Sequence, residues 1–266
     1  MGIVNVTADS FYDGGRYLDP ARAIARALEL VEQGADLIDI GAESTRPGAM
    51  PVDESEELHR LIPVIAGVAG RISVPISVDT MKAKVAERAL DAGATIVNDV
   101  SALRFDPEMT GVVARSGAGI VLMHMQGTPQ TMQRAPQYRD VMAEVAEFLC
   151  ERMQTATTAG IAKSQIILDP GIGFGKLLVH NLTLINELRV LTALDRPVLV
   201  GVSRKAFVGT IVDRDVADRE WGTAAAVAIA VDRGAGIVRV HDVGIMSDVV
   251  KMASAIRSAH QQERYA

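Results

Sequence analysis

Polar side chains able to bind a ligand or move a proton recur at one kind of place in this chain, the end of a short apolar run. In order they are Asn5, the loop GAESTRPG, Asp79, Asn98 with Asp99, His124, Asp169, Ser203-Arg204-Lys205, and Arg239 with His241. The earlier positions supply carboxylates and carboxamides, and the last two runs supply cations. Arginine grips phosphate oxygens through paired N–H donors, while lysine brings a compact mobile charge. A cavity divided in this way suits a ligand with a flat, donor-rich head and an anionic tail. Asp169 carries most weight, because a carboxylate set after Ile-Ile-Leu and before Pro170 is costly to bury without donors. Each of the others has a plainer reading. Asn5 can cap a turn, Asp79 can cap a helix, Asp99 can bond loop amides, and His124 between Met123 and Met125 can be a packing residue. His59, His180 and His260 fall on helical stretches as surface or interhelix residues, and no pair of histidines has metal-ligand spacing.

The stretch LDPGIGFGK, residues 168–176, resembles a phosphate loop without being one. A Walker loop needs a glycine where Pro170 stands and Ser or Thr where Leu177 stands; the dinucleotide fingerprint needs a glycine where Lys176 stands. Lys176 therefore reads as a cation in a loop or at a helix start.

The elements that must position these residues follow from the apolar runs. They are GIVNV (2–6), LIDI (37–40), PISV (75–78), TIVN (95–98), GIVLM (119–123), QIILD (165–169), PVLVGV (197–202) and GIVRV (236–240). Continuous apolar runs suit strands buried on both faces, as in a parallel sheet. Helical patterns lie between them, such as DPARAIARALELVEQG, with Pro20 suited to a first turn and Gly34 to the stop. Three helices end in Gly-Ala just before the next strand, in QGADLIDI, AGATIVND and RGAGIVRV. Eight strands alternating with eight helices predict an α/β fold of the (β/α)8 TIM-barrel type, with chemistry at the C-terminal ends of the strands. A doubly wound sheet is the structural competitor. One domain spans 1–266, with a core of 1–258 and a frayed tail of 259–266. Because the first strand begins almost at Met1, the barrel's floor is expected to be made by side chains alone unless a leader precedes it.

The chain has 266 residues, 48% of them hydrophobic, enough for a large core. A net charge of −6 argues against a general nucleic-acid or anionic-membrane binder. The single cysteine, Cys150, cannot form an internal disulfide and reads as a small buried side chain on a helix. Neither a signal peptide nor an apolar run of about eighteen residues is visible, so a soluble, cytoplasmic protein is expected.

The motifs MGIVNVTADSFYDGG, IDIGAESTRPGA, ISVDT, IVNDVSA, VLMHMQGTPQTMQ, LDPGIGFGK, VGVSRKAFVG and RVHDV together resemble those of the dihydropteroate synthase family, in that family's order and over essentially the whole chain. The resemblance implies a (β/α)8 transferase of folate biosynthesis and a sulfonamide target. It joins 6-hydroxymethyl-7,8-dihydropterin diphosphate to p-aminobenzoate and releases pyrophosphate. It implies that Asp169 reads the pterin's amino group and ring N–H, that Asn98 and Asp79 address the rest of the ring edge, and that Lys205 donates opposite. Arg239 would stack on the ring and, with His241 and Thr45, hold the diphosphate. Asn5 would ligate Mg²⁺. Phe11, Arg46, Pro47 and Phe174 would form the p-aminobenzoate site, and Asp79 and Asp13 would stabilise positive charge. The family is commonly a homodimer through outer helices.

Four positions depart from the family pattern: Ala8, Tyr12, Ala42 and Ala206, the last where a serine commonly touches p-aminobenzoate. Three rival readings stand beside the synthase. One is a barrel aldolase using Lys205 as a Schiff-base amine, which needs a lysine of lowered pKa. Another is a pterin-binding methyltransferase serving a corrinoid, disfavoured by the SRKAF and ESTRPG loops. The third is a pterin carrier without turnover, disfavoured by Asn5, Arg239 and His241.

Overall fold

All eight apolar runs become parallel strands, with ends shifted by a residue or two from those expected. They are β1 (Gly2–Asn5), β2 (Ile38–Gly41), β3 (Ile76–Asp79), β4 (Ile96–Asp99), β5 (Gly119–Met123), β6 (Ile166–Asp169), β7 (Leu199–Val200) and β8 (Ile237–Val238). The structure is a computed structural model and describes residues 1–7, 19–46 and 48–262. Ala8, Phe11, Tyr12, Asp13 and Pro47 lie outside the described residues. Strands β1 to β6 pair in sequence order, and β7 pairs with β8. Single bridges, Leu168 to Val198 and Gly2 to Val240, join that pair to both edges of the six-stranded sheet. The bonds Leu168 N to Pro197 O (2.9 Å) and Ile3 N to Val240 O (3.0 Å) carry the ring round. This is the parallel α/β barrel arrangement that the alternating pattern predicts.

The helices are α1 (Pro20–Glu32), α2 (Glu54–Val68), α3 (Ala83–Asp91), α4 (Met109–Ser116), α5 (Val141–Thr158), α6 (Leu178–Asn186), α7 (Arg189–Thr192), α8 (Ala206–Val212), α9 (Glu220–Asp232) and α10 (Val243–Gln262). The described residues thus hold ten helices where eight were expected. After β6 the helix is interrupted between α6 and α7. After β7, Asp213 turns left-handed at φ +50° and stops α8 before a short 3-10 turn leads into α9. Helix starts follow ordinary capping: Asp19, Asp53 and Asp140 accept from the amides of Ala21, Glu56 and Ala143 at 2.8–3.0 Å.

The repeated Gly-Ala has a physical meaning. Gly34, Gly93 and Gly234 sit at φ +96°, +115° and +107° just after α1, α3 and α9. The following alanine amides return to Leu30, Ala89 and Ala230, each at 2.9 Å. This is one left-handed C-terminal closure used three times, and it turns the chain from helix directly into the next strand.

Alternation along the strands separates two faces. Ile38, Ile40, Val78, Val97, Ile120, Leu122, Leu168 and Val200 belong to the main core between the strands and helices. The opposite parity faces the barrel axis. There Met1, Val121 and Leu199, with Leu37, Ile96, Ile167 and Ile237 packed against them, form a separate apolar cluster near the strand starts. Side chains therefore make the floor. Two further sequence expectations change: Cys150 is exposed, not buried, and α10 runs to Gln262, past the expected core boundary at 258.

Lys82, at the start of α3, bridges Glu43 after β2 and the fully buried Glu57 of α2. Burial lifts the Glu57 carboxyl above its ordinary value, with Lys82 opposing. Removing one partner of a buried pair leaves an uncompensated charge. Lys82→Met is therefore expected to lower unfolding stability by about 3 kcal/mol in urea titration, with most of that loss recovered by adding Glu57→Gln.

Candidate active site

The polar side chains at the strand ends have the same parity as the floor cluster, two residues further along. Asn98 follows Ile96, Asp169 follows Ile167, and Arg239 follows Ile237. A two-residue period places both on the axial face. The register sets Asn5 beside Gly41, Gly41 beside Asp79, and Asp79 beside Asn98, in one row across β1 to β4. Gly41 leaves room there, since a Cβ would lie a tight 3.1 Å from the Cβ of Asp79.

A guanidinium joins these strands. Arg239 Nε donates to Asp39 Oδ2 at 2.6 Å, and its Nη2 donates to Asp79 Oδ2 at 2.9 Å. Asn98 Nδ2 donates to the same oxygen of Asp39 at 3.1 Å. Asp79 therefore serves the barrel mouth and does not cap α3, whose capping position is Lys82. Burial pushes the Asp79 carboxyl up to about 7; Arg239 opposes this and the Asp39 carboxylate adds to it. Asp39 was missed in the sequence because it lies inside the run LIDI. Its parity, and the cost of a buried charge in an apolar strand, were the signals that could have found it. Asp99 turns away and accepts from Ser101 N, Ser101 Oγ and Leu103 N at 2.6–2.8 Å, which is the structural role its sequence allowed.

Asp169 and Lys205 occupy the other side of the mouth. Asp169 Oδ1 accepts from Gly171 N at 2.7 Å, and burial holds its carboxyl above the usual range against the pull of Lys205. Lys205 is brought down to about 8, chiefly by burial, with Asp169 opposing and Arg239 adding. Its amine donates to Ile172 O and stands 4.7 Å from the centre of the Phe174 ring. At Gly201 a Cβ would lie 3.7 Å from Lys205 Nζ and 3.9 Å from Arg239 Cβ, so the two cationic side chains approach over a residue without a side chain. The loop glycines have the same logic. Gly171, at φ +68°, carries a hydrogen where a Cβ would fall 1.9 Å from His124 O.

Beyond Arg239 the mouth becomes rich in donors. His241 Nδ1 lies 2.9 Å from Ser203 Oγ. Burial, then Arg239, depresses its imidazole to about 3, with Arg204 and Arg46 adding and Asp242 opposing. The sequence grouped His241 and Arg204 with the cations. Burial and Arg239 favour the neutral form of the His241 ring, and Arg204, still a cation, forms a two-point pair with Asp242 at 2.8 and 2.9 Å. Thr45 and Arg46 stand half-buried on the loop after β2. Among the described residues no group of three His, Cys, Asp or Glu side chains could cage a metal. Asn5 offers one carboxamide oxygen. That donor set fits a hard ion that keeps most of its water and takes other ligands from phosphate, as Mg²⁺ does.

His124 is a packing residue whose ring lies edge-on to Phe148 at 4.8 Å. Lys176 lies in the loop just before α6, as its sequence reading has it; it is buried there, and its amine lies 2.9 Å from His124 Nδ1.

The chain is similar to known proteins over nearly its whole length. The family model described as pterin binding enzyme matches residues 1–241. A dihydropteroate synthase from Synechocystis is 48% identical over 96% of this chain and 89% of its own length. The Yersinia pestis dihydropteroate synthase, solved with a sulfonamide drug complex, superposes with a TM-score of 0.94 at 44% identity, covering 97% of this chain and 94% of the other. The Xanthomonas albilineans dihydropteroate synthase superposes at 0.90 in its structure with 4-aminobenzoic acid (46% identity, 97% and 92% covered) and at 0.87 in complex with 7,8-dihydropteroate (44% identity, 97% and 93% covered). The chain belongs to the dihydropteroate synthase family of pterin-binding enzymes.

Proposed function

We infer that this chain condenses 6-hydroxymethyl-7,8-dihydropterin diphosphate with p-aminobenzoate, giving 7,8-dihydropteroate and pyrophosphate. The observation that carries the reading is the barrel mouth in which Arg239 bonds both Asp39 and Asp79, Asn98 donates to the same Asp39 oxygen, and Asp169 and Lys205 lie near enough to act on one another's charge. A carboxylate matches the pterin's amino group and ring N–H in two contacts. Asp169 takes that role, Asn98 and Asp79 bind the remaining edge, and Lys205 donates to the carbonyl side. Arg239 offers its guanidinium plane to the ring.

The reaction breaks the bond between the pterin methylene carbon and the diphosphate oxygen, and the electron pair leaves with pyrophosphate. The aryl amine then forms the new C–N bond and loses a proton. We favour departure before attack, because the dihydropterin ring delocalises the methylene cation and the aryl amine is a weak nucleophile. Asp79, with Asp13 from the first loop, stabilises that positive charge. Arg239, His241 and Thr45 hold the departing diphosphate. Asn5 would hold Mg²⁺, which when bound supplies charge neutralisation to the phosphate oxygens. Phe174 and Arg46 are assigned to the p-aminobenzoate side, and the family resemblance adds Phe11 and Pro47, which lie outside the described residues.

The protein acts as a homodimer in this proposal. Trp221 and Ile229 on α9, with Met252 and Ile256 on α10, leave apolar side chains exposed on outer helices that a second copy would cover. No helix of the described residues is long and apolar enough to cross a membrane, and a cytoplasmic location fits the proposed chemistry.

Asp169→Asn retains shape but loses the two-acceptor edge. It is expected to weaken pterin binding by about 3 kcal/mol, roughly a hundredfold, in calorimetry; near-normal affinity would contradict the assignment. The pH profile of kcat/KM for the pterin diphosphate is expected to be bell-shaped. Asp79 acts as a carboxylate, so activity falls as pH drops below about 7; Lys205 acts as an ammonium, so it falls as pH rises above about 8. Lys205→Arg, which stays charged, should remove the alkaline limb. A flat profile between about pH 6 and 9 would count against both roles.

A further inference from the structure

Lys176 touches neither Asp169 nor the Asp39–Arg239–Asp79 cluster, yet only 3% of it is exposed. Its amine donates to Phe174 O at 3.0 Å and lies 3.4 Å from His124 O and 2.9 Å from His124 Nδ1. An ammonium has three donors, and three acceptors meet it. The His124 ring that receives it is clamped between Phe148 and Tyr138.

The same loop is held at every carbonyl from Ile172 to Gly175. Ile172 O accepts from Lys205, Gly173 O from Gln133 Nε2 at 3.0 Å, Phe174 O from Lys176 at 3.0 Å, and Gly175 O from Tyr138 Oη at 2.7 Å. Gly173 N is tied as well, donating to Asn181 Oδ1 at 2.7 Å. Four separate side chains thus hold four consecutive carbonyls, and a fifth, Asn181, holds an amide between them. Within them Phe174 is the residue whose ring faces the Lys205 amine. The peptide carrying that ring is fixed by Lys176, and through it by His124 on the neighbouring loop. Loss of one of these bonds leaves the others in place, so the loop can persist while the Phe174 peptide gains freedom to rotate.

We propose that Lys176 is a positioning residue for the aryl-amine substrate, acting by holding the Phe174 carbonyl and so setting the ring face that walls the p-aminobenzoate side. This rests on the functional reading given above. Lys176 itself touches no substrate in this scheme.

Pyrophosphate release by Lys176→Met, Phe174→Ala and the double variant, with calorimetry of 6-hydroxymethylpterin on each, tests the idea. Lys176→Met is expected to raise KM for p-aminobenzoate about tenfold, since small misplacements of positioning groups cost on the order of tenfold to a hundredfold. Pterin affinity should stay within about twofold, and the Phe174→Ala background should show no further rise. A lower Tm with both kinetic constants unchanged would reduce Lys176 to a structural role and overturn the proposal. So would a pterin affinity that falls as much as KM rises, or effects of the two substitutions that simply add. If Lys176→Met does not fold, Lys176→Gln keeps the stem and an N–H donor and enters the same cycle; coupling to Phe174 supports the proposal and its absence overturns it. Failure of the unsubstituted chain to release pyrophosphate with p-aminobenzoate would sink the functional reading and this inference together. An active unsubstituted chain beside an unaffected Lys176→Met would sink this inference alone.

Discussion

Charge held inside a barrel must be compensated there, and the guanidinium of Arg239 between Asp39 and Asp79 is where this chain meets that demand. A single carboxylate beside it would leave a neutral pair; two leave a net negative charge in a buried place. Asp39 has no exposure, and one of its carboxylate oxygens, Oδ1, finds no partner among the described residues. Burial, with the Asp39 charge adding to it, pushes the Asp79 carboxyl up to about 7 even with a cation at 2.9 Å. A pocket in this state favours a ligand that brings donors, and more so one on which positive charge develops. The same cluster fixes geometry, since it ties β8 to β2 and β3 directly and to β4 through Asn98. Losing it would separate the strand ends that bind the ring from those that hold its leaving group.

That demand can be met only because the barrel interior is layered. The strands are so short that several contribute only one apolar residue near the start and one polar residue at the end to the axial face. Ile96 with Asn98, Ile167 with Asp169, and Ile237 with Arg239 are the clearest pairs. The apolar members exclude water from below, and the polar members face upward into the low dielectric this creates. Hydrogen bonds and ion pairs there are stronger than in water, and unpaired groups are correspondingly costly. Stability and chemistry are therefore two ends of the same strands, separated by a single period of the pleat.

Much of this was legible in the sequence because the signals are local. Buried parallel strands read as continuous apolar runs, and polar residues ending them mark the barrel mouth. Gly-Ala before three strands anticipated a helix closure that needs a positive φ at Gly34, Gly93 and Gly234. What stayed hidden depends on partners far away in the chain. Asp39 looked like part of an apolar run because its companion, Arg239, lies on β8 at the other end of the barrel. His241 looked cationic because the effect of burial and of Arg239 on its ring cannot be seen from its neighbours in sequence. The burial of Lys176 stayed hidden because its acceptors include a histidine on the loop after β5. Cys150 failed for a different reason: burial is a tendency of the residue type, and α5 presents this position to solvent. Phe11, Asp13 and Pro47 lie outside the described residues, so geometry adds nothing to their sequence assignment.

The lowered pKa of Lys205 reopens the aldolase reading on its face, since a Schiff-base lysine needs an amine that gives up its proton near neutrality. Geometry argues otherwise. Nucleophilic attack requires a free lone pair with an open approach, whereas Lys205 Nζ donates to Ile172 O, lies against the Phe174 ring and is drawn toward its charged form by Asp169. Desolvation and Arg239 lower it, but the Ile172 carbonyl, the Phe174 ring face and Asp169 all call for a donor. The hydrogen bond to Ile172 O is also one that a ligand carbonyl could replace without moving the backbone. An amine placed in this way is prepared to exchange one carbonyl for another. That is what recognition of a ring oxygen asks of it, and covalent capture of a substrate would ask the reverse.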